Sequence, residues 1–158
     1  CTHRLKSAVP AGNLARIGTK VGGGTEEQVE KMGRYFESIG IAFQIVDDVL
    51  NLRGLPGKTR GEDLMAGKIT YPVAVAMGAL KKADRQKLWN VIKSKPDDPK
   101  IVSEAIDMID GCGALDKSDE HARKLVGDAW TLLDSVIPDS FYKLNLRAFG
   151  WFVLERHY

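Results

Sequence analysis

Apolar positions recur along this chain at helical spacing, and almost nowhere at the period of two that a half-buried strand requires. Leu5, Val9, Leu14, Ile17 and Val21 predict a first helix from about His3 to Val21, kinked at Pro10 and closed by the glycines at 22–24. Thr25 followed by Glu26, Glu27 and Gln28 reads as a capping box with an acidic first turn, opening a long second helix that runs to about Leu52. The glycines and proline of RGLPGKTRG, residues 53–61, predict a loop. A third helix begins near Ile69, with Pro72 tolerated in its first turn. Further helices are predicted over residues 83–93, 98–110, 117–136 and 139–156, the last capped by Asp139 or Ser140. No repeat, low-complexity tract or linker interrupts the series, and the fold class is all-α.

Composition narrows the partners. The 158 residues are 44% hydrophobic, enough for the core of one domain. Lys and Arg number 23 against 21 Asp and Glu, and a net charge of +2 argues against nucleic acid or an anionic membrane as the main partner. Cys1 and Cys112 have neither metal-ligand spacing nor a disulfide pattern, which suits a reducing compartment, here taken as the cytoplasm. No stretch has the apolar length of a transmembrane segment; the longest run, Ile39 to Val46, is broken by Gly40 and Gln44. The chain opens on Cys1, so a targeting peptide upstream stays open.

The chemistry concentrates in FQIVDDVLN, residues 43–51. On a helix, Asp47, Asp48 and Asn51 fall on one side, with Gln44 one turn earlier. Magnesium prefers carboxylate oxygens, keeps several waters and completes its shell with phosphate, so an aspartate pair is a plausible half-site for a metal–diphosphate complex. Adjacent aspartates are more often a solvated face. The apolar flanks Ile39, Ile41, Phe43, Ile45, Val46, Val49 and Leu50 instead predict a largely buried helix, whose carboxylates need partners. Cations follow in GKTRGEDLMAGKITYP, residues 57–72, where Lys58 and Lys68 each come after a glycine. Alone they would be surface lysines; beside the aspartates they supply charge for phosphate oxygens. His3, His121 and His157 are scattered, and no Ser-His-Asp or Cys-His set is present. Trp89, Trp130, Trp151, Phe149 and Phe152 read as core. PDDPK, residues 96–100, reads as a turn and helix cap.

These motifs, with LKSA at 5–8 upstream and the helical tail ending RAFGWFVLERHY, resemble the C-terminal half of the trans-type isoprenyl diphosphate synthases, the farnesyl and geranylgeranyl diphosphate synthases. The resemblance spans the whole chain, residues 1–158, and implies an antiparallel helical bundle, the C-terminal half of the class I isoprenoid synthase fold. It implies that Asp47 and Asp48 open the family's second aspartate-rich motif and bind Mg²⁺ bridging to an allylic diphosphate, with Asn51 in place of a further aspartate and Asp63 near the metals. Gln44, Lys6, Ser7, Lys58 and Lys68 then match diphosphate-binding positions, Ser7 keeping the hydroxyl of the family's threonine; Lys6 and Lys68 join the aspartates in catalysis. Arg156 and His157 read as a solvated tail. The implied reaction is Mg²⁺-assisted ionisation of the allylic diphosphate and attack by isopentenyl diphosphate, geranylgeranyl diphosphate synthase-like, in a homodimer using about three Mg²⁺ per site.

One departure matters. The family's first aspartate-rich motif and its isopentenyl diphosphate ligands belong to an upstream half, and no second aspartate cluster of that kind occurs here. The chain is therefore expected to hold half of a metal cage shared with that upstream motif. A class I terpene cyclase would need Ser or Thr and then Glu at four-residue steps; from Asp47 these fall on Asn51 and Leu55, from Asn51 on Leu55 and Thr59, and neither register fits. The other readings are a non-catalytic regulatory subunit of a heteromeric synthase, the prenyltransferase part of a longer cyclase fusion, and a bare helical interaction module, which leaves the carboxylate–lysine set unexplained.

Overall fold

The computed structural model describes residues 4–155, and within them every regular element is helical. The predicted start at His3, the end of the last helix at 156, and the Arg156–His157 tail lie outside the described residues. A π-helical turn, Arg4–Ala8, leads into α1, Val9–Val21. Pro10 sits in the first turn of α1, directly after the π-helical turn. A proline has no N–H to give to the carbonyl four residues back, which suits a wider turn just upstream. Helix α1 ends in a Schellman motif: Gly23 has φ 81°, Gly24 N donates to Thr19 O at 2.9 Å, and Gly23 N donates to Lys20 O at 3.1 Å. The capping box follows, with Thr25 N donating to Gln28 Oε1 at 2.9 Å and Gln28 N to Thr25 Oγ1 at 3.3 Å.

The remaining helices are α2 (Glu26–Arg53), α3 (Glu62–Met65), α4 (Tyr71–Ala79), α5 (Lys82–Ser94), α6 (Pro99–Gly111), α7 (Ala114–Asp134) and α8 (Phe141–Leu154). Asp98 caps α6 by accepting from Lys100 N at 2.9 Å, and Ser140, rather than Asp139, caps α8 by accepting from Lys143 N at 3.1 Å. Helix α7 begins three residues before the predicted 117, because Gly113 at φ 73° makes the break.

The chain divides into two compact units, residues 1–44 with 121–157, and residues 45–120. In the first, buried Tyr35 donates its hydroxyl to Leu146 O at 2.9 Å and packs on Trp130 at 5.3 Å between ring centroids. Arg147 lies over the rings of Trp130 and Trp151 at 5.1 and 5.2 Å. Trp151 and Phe152, read from sequence as core, are more than half exposed here, and Phe149 and, in the second unit, Trp89 are partly exposed. The second unit holds a continuous core of Val49, Leu52, Leu64, Val73, Ala76, Leu88, Ile92, Val102, Ala105, Ile106, Ile109, Ala114 and Leu115. About two turns of buried apolar side chains on α6, Val102 to Ile109, pack in this core with residues of α4 and α5.

Candidate diphosphate and metal site

Helix α2 ends with carbonyls that need donors. Gly54, at φ 93°, donates its N–H to Leu50 O at 2.9 Å; Gly61 N donates to Asn51 O at 2.9 Å; Arg60 Nε donates to Leu52 O at 2.8 Å. The loop therefore folds back over the helix end instead of extending into solvent. Its pivot is Gly61, at φ 76°, where an added Cβ would lie 2.6 Å from Val102 Cγ1 and 3.0 Å from Ile106 Cδ1. Helix α3 springs from this pivot, and a turn at Gly67, φ 72°, delivers Lys68.

These turns assemble a polar network. Asp48 is buried, with 8% of its surface exposed, and its Oδ2 accepts from Tyr71 N at 2.9 Å. Tyr71 is the first residue of α4, so the carboxylate sits at a helix N-terminus, where the dipole favours negative charge. Asn51 Oδ1 accepts from Asp63 N at 3.3 Å, and Asp63 Oδ1 meets Lys68 Nζ at 2.6 Å. The hydrogen bond that Lys68 donates to Asp63, and then the charge of Asp63, raise the Lys68 pKa above the ordinary value, with burial opposing and Glu62 and Asp48 adding to the rise. Lys68 is thus a fixed cation at neutral pH. Arg53, at the last residue of α2, pairs with Asp119 at 2.5 Å and Asp116 at 3.1 Å and anchors the helix end.

The expectation of a buried acidic pair holds for one member. Asp48 is buried and Asp47 is exposed, as is Phe43, because consecutive helical positions turn by about 100° and the apolar run does not wrap the helix completely. Lys58 is exposed in the loop. Lys6, Ser7 and Gln44 belong to the first unit. There, Lys6 is exposed and Ser7 half-buried on the π-helical turn, which approaches α2 at Gly40. A Cβ at Gly40 would lie 2.7 Å from Ala8 Cα and 3.2 Å from Ser7 O, so glycine admits the turn that carries Lys6 and Ser7. Gln44, half-buried, follows Gly40 by one turn of α2.

The donors of the second unit are carboxylate and amide oxygens, the set that suits a hard cation. Among the described residues no three His, Cys, Asp or Glu side chains gather into a metal cluster. One or two carboxylates with water and phosphate making up the remainder is the pattern magnesium adopts beside a diphosphate, and Asp47 and Asp48 fit it. Sequence reasoning did not find the Tyr71 amide or Thr70, whose buried hydroxyl has no hydrogen-bond partner. The signal was Pro72 early in α4, which marks a helix start whose preceding N–H seeks an acceptor.

No described helix is long and apolar enough to cross a membrane. Residues 2–109 match the family model of polyprenyl synthetase. The short chain isoprenyl diphosphate synthase of Methanothermobacter thermautotrophicus is 31% identical over 156 residues, covering 97% of this chain and 47% of its own length. Geranylgeranyl pyrophosphate synthase 11, chloroplastic, of Arabidopsis thaliana is 44% identical over 78 residues, 48% of this chain and 22% of that protein. The chain thus spans about half, or less, of the curated relatives it matches. In the crystal structure of a decaprenyl diphosphate synthase from Rhodobacter capsulatus, 29% identical, the match covers 96% of this chain and 47% of that one at a TM-score of 0.87. A polyprenyl synthase from Caulobacter crescentus, complexed with calcium and isoprenyl diphosphate, is 25% identical, with coverage of 97% and 47% and a TM-score of 0.85. On the family match, which takes in more than half of its residues, the chain belongs to the polyprenyl synthetase family.

Proposed function

We propose that this chain is the diphosphate-binding, C-terminal half of a trans-prenyltransferase of the geranylgeranyl diphosphate synthase type. It would act with an upstream half that supplies the other metal ligands and the isopentenyl diphosphate site. The observation that carries the reading is the network in the second unit, where Asp48 is held by the α4 N-terminus and Lys68 by Asp63, in a chain of this family.

Asp47 and Asp48, with Asn51 and Asp63 beside them, would hold Mg²⁺. The Caulobacter relative's complex with calcium and isoprenyl diphosphate supports the use of a divalent cation. Bound there, Mg²⁺ supplies positive charge to the oxygens of a departing diphosphate. The chain's own residues do the remainder. Lys58 and Lys68 would offer ammonium groups to the diphosphate, and Lys6, Ser7 and Gln44, which belong to the first unit, are the further diphosphate-binding positions that the resemblance assigns. The charge of the lysines favours the state in which the allylic carbon–oxygen bond has broken and diphosphate carries the electrons. Isopentenyl diphosphate then adds through its double bond, and a proton leaves to the pyrophosphate released in the first step. The chemistry asks for no side-chain nucleophile, in keeping with the sequence.

A homodimer is part of the same proposal. Leu14, Ile17 and Val21 on α1, and Phe141, Leu144 and Phe152 on α8, are exposed apolar side chains that further polypeptide would cover. Relatives named chloroplastic and mitochondrial support an organellar setting. Calorimetry tests the site directly: pyrophosphate should bind the chain only with Mg²⁺ present, and Asp47→Ala should abolish the heat. Equal binding by wild type and Asp47→Ala would remove the aspartate from the site.

A further inference from the structure

Thr70 occupies the N-cap of α4 in extended backbone, with φ −81° and ψ 172°, the geometry in which a threonine hydroxyl ordinarily accepts from the second or third N–H of the helix. Here the cap bond is not made. Pro72 stands in the first turn and has no N–H. The residue is buried, with 6% of its surface exposed, and its Oγ1 is buried with no hydrogen-bond partner. Proteins rarely bury a hydroxyl on these terms, and one left so asks for a partner that another state supplies. The adjoining residue shows which group is at hand: Tyr71 N, the next donor along the backbone, is bonded to Asp48 Oδ2 at 2.9 Å. Two successive residues therefore bring an N–H and an O–H to the same helix end, of which the N–H already holds the buried carboxylate.

We propose that the Thr70 hydroxyl is a positioning group for Asp48, without a partner in the ligand-free chain and donating to that carboxylate once Asp48 turns to a metal–diphosphate complex. The inference rests on the function proposed above and adds a residue to its site. The helix N-terminus supplies one fixed donor and the hydroxyl rotor would add a second, so the carboxylate gains the Thr70 bond as it reorients.

Thr70→Val, nearly isosteric, and Thr70→Ser, which keeps the hydroxyl, separate this role from packing. The readouts are the melting temperature without ligand and the affinity for Mg²⁺ with pyrophosphate, by calorimetry on the 158-residue chain. Thr70→Val should melt at or above the wild-type temperature, because it removes an unsatisfied buried hydroxyl, while Mg²⁺–pyrophosphate affinity falls about tenfold, the loss of one hydrogen bond to a charged group. Thr70→Ser should bind as the wild type does. A lower ligand-free melting temperature with unchanged affinity would show a structural hydroxyl and overturn the inference, as would no change in either quantity. Wild-type chain that binds no pyrophosphate with Mg²⁺ would fail differently, removing the proposed function and this inference with it.

Discussion

Replacing Gly61 with alanine strikes the pivot on which the site is built. The backbone there has φ 76°, a left-handed conformation that costs a residue with a Cβ about 1 kcal/mol. The new methyl would also lie 2.6 Å from Val102 Cγ1 and 3.0 Å from Ile106 Cδ1, both in the core of the second unit. Valine is stiff about χ1, so relief must come from backbone movement, at an overpacking cost of about 1–3 kcal/mol. The sum, about 2–4 kcal/mol, is a large share of the ~5–15 kcal/mol that holds an ordinary domain together, and corresponds to a fall in melting temperature of about 10 °C. Gly57 is the internal control, because it shares the left-handed backbone, at φ 79°, but a Cβ there meets nothing within 4 Å. Gly57→Ala should therefore lose only the conformational share, about 1 kcal/mol. Urea titration of both variants, read as a midpoint shift at constant slope, gives the comparison. Equal losses in the two variants would refute the close approach of the loop to α6. The Gly61 variant should also bind Mg²⁺–pyrophosphate more weakly, since Gly61 N caps Asn51 O and its carbonyl starts α3.

Asp47 and Asp48 should separate on stability and agree on binding: Asp47→Ala changes unfolding free energy by under about 0.5 kcal/mol, whereas Asp48→Ala removes the carboxylate that accepts from Tyr71 N and costs about 1–3 kcal/mol, both abolishing Mg²⁺-dependent pyrophosphate binding. Gly40→Ala gains about 1 kcal/mol of helix propensity and loses about 1–3 to its clash with the Ala8 backbone; urea melts should show a small net loss, and calorimetry weakened pyrophosphate binding as Lys6 and Ser7 move. Burial raises the Tyr35 pKa from 10.0 to about 12, with the Arg147 charge opposing, so the neutral phenol is favoured by folding. Its contribution is intact below pH 10 and is lost as pH rises from 10 to about 12, at no more than about 1.4 kcal/mol per unit; alkaline melts of Tyr35→Phe should lack that slope.

Much of this fold was legible because helix signals are local. The Schellman motif at residues 22–24, the Thr25–Gln28 box and the Asp98 and Ser140 caps each follow from a few adjacent residues. Helix α3 was missed because four residues between Gly61 and Gly67 carry no period to detect. The candidate site was legible as residue types and hidden as geometry. Nothing in the pair DD tells which carboxylate faces inward; the packing of Val49 and Leu52 into the core decides it and turns Asp48 in with them. Nor could the sequence foresee that Lys68 would pair with Asp63, a contact that depends on the left-handed turn at Gly67 between them. The exposed aromatics of α8 looked like core for a simpler reason: apolar spacing reports a face meant to be covered, without saying by what.

Product analysis tests the proposed function most directly. The 158-residue chain, alone and combined with the upstream half of a polyprenyl synthase, would be given isopentenyl diphosphate, Mg²⁺ and dimethylallyl, geranyl or farnesyl diphosphate. Elongated prenyl diphosphate from the combination, lost when Asp47 is replaced by alanine, is the predicted result. Elongation that survives Asp47→Ala, or a combination that binds Mg²⁺ and pyrophosphate yet forms no longer product, would contradict it.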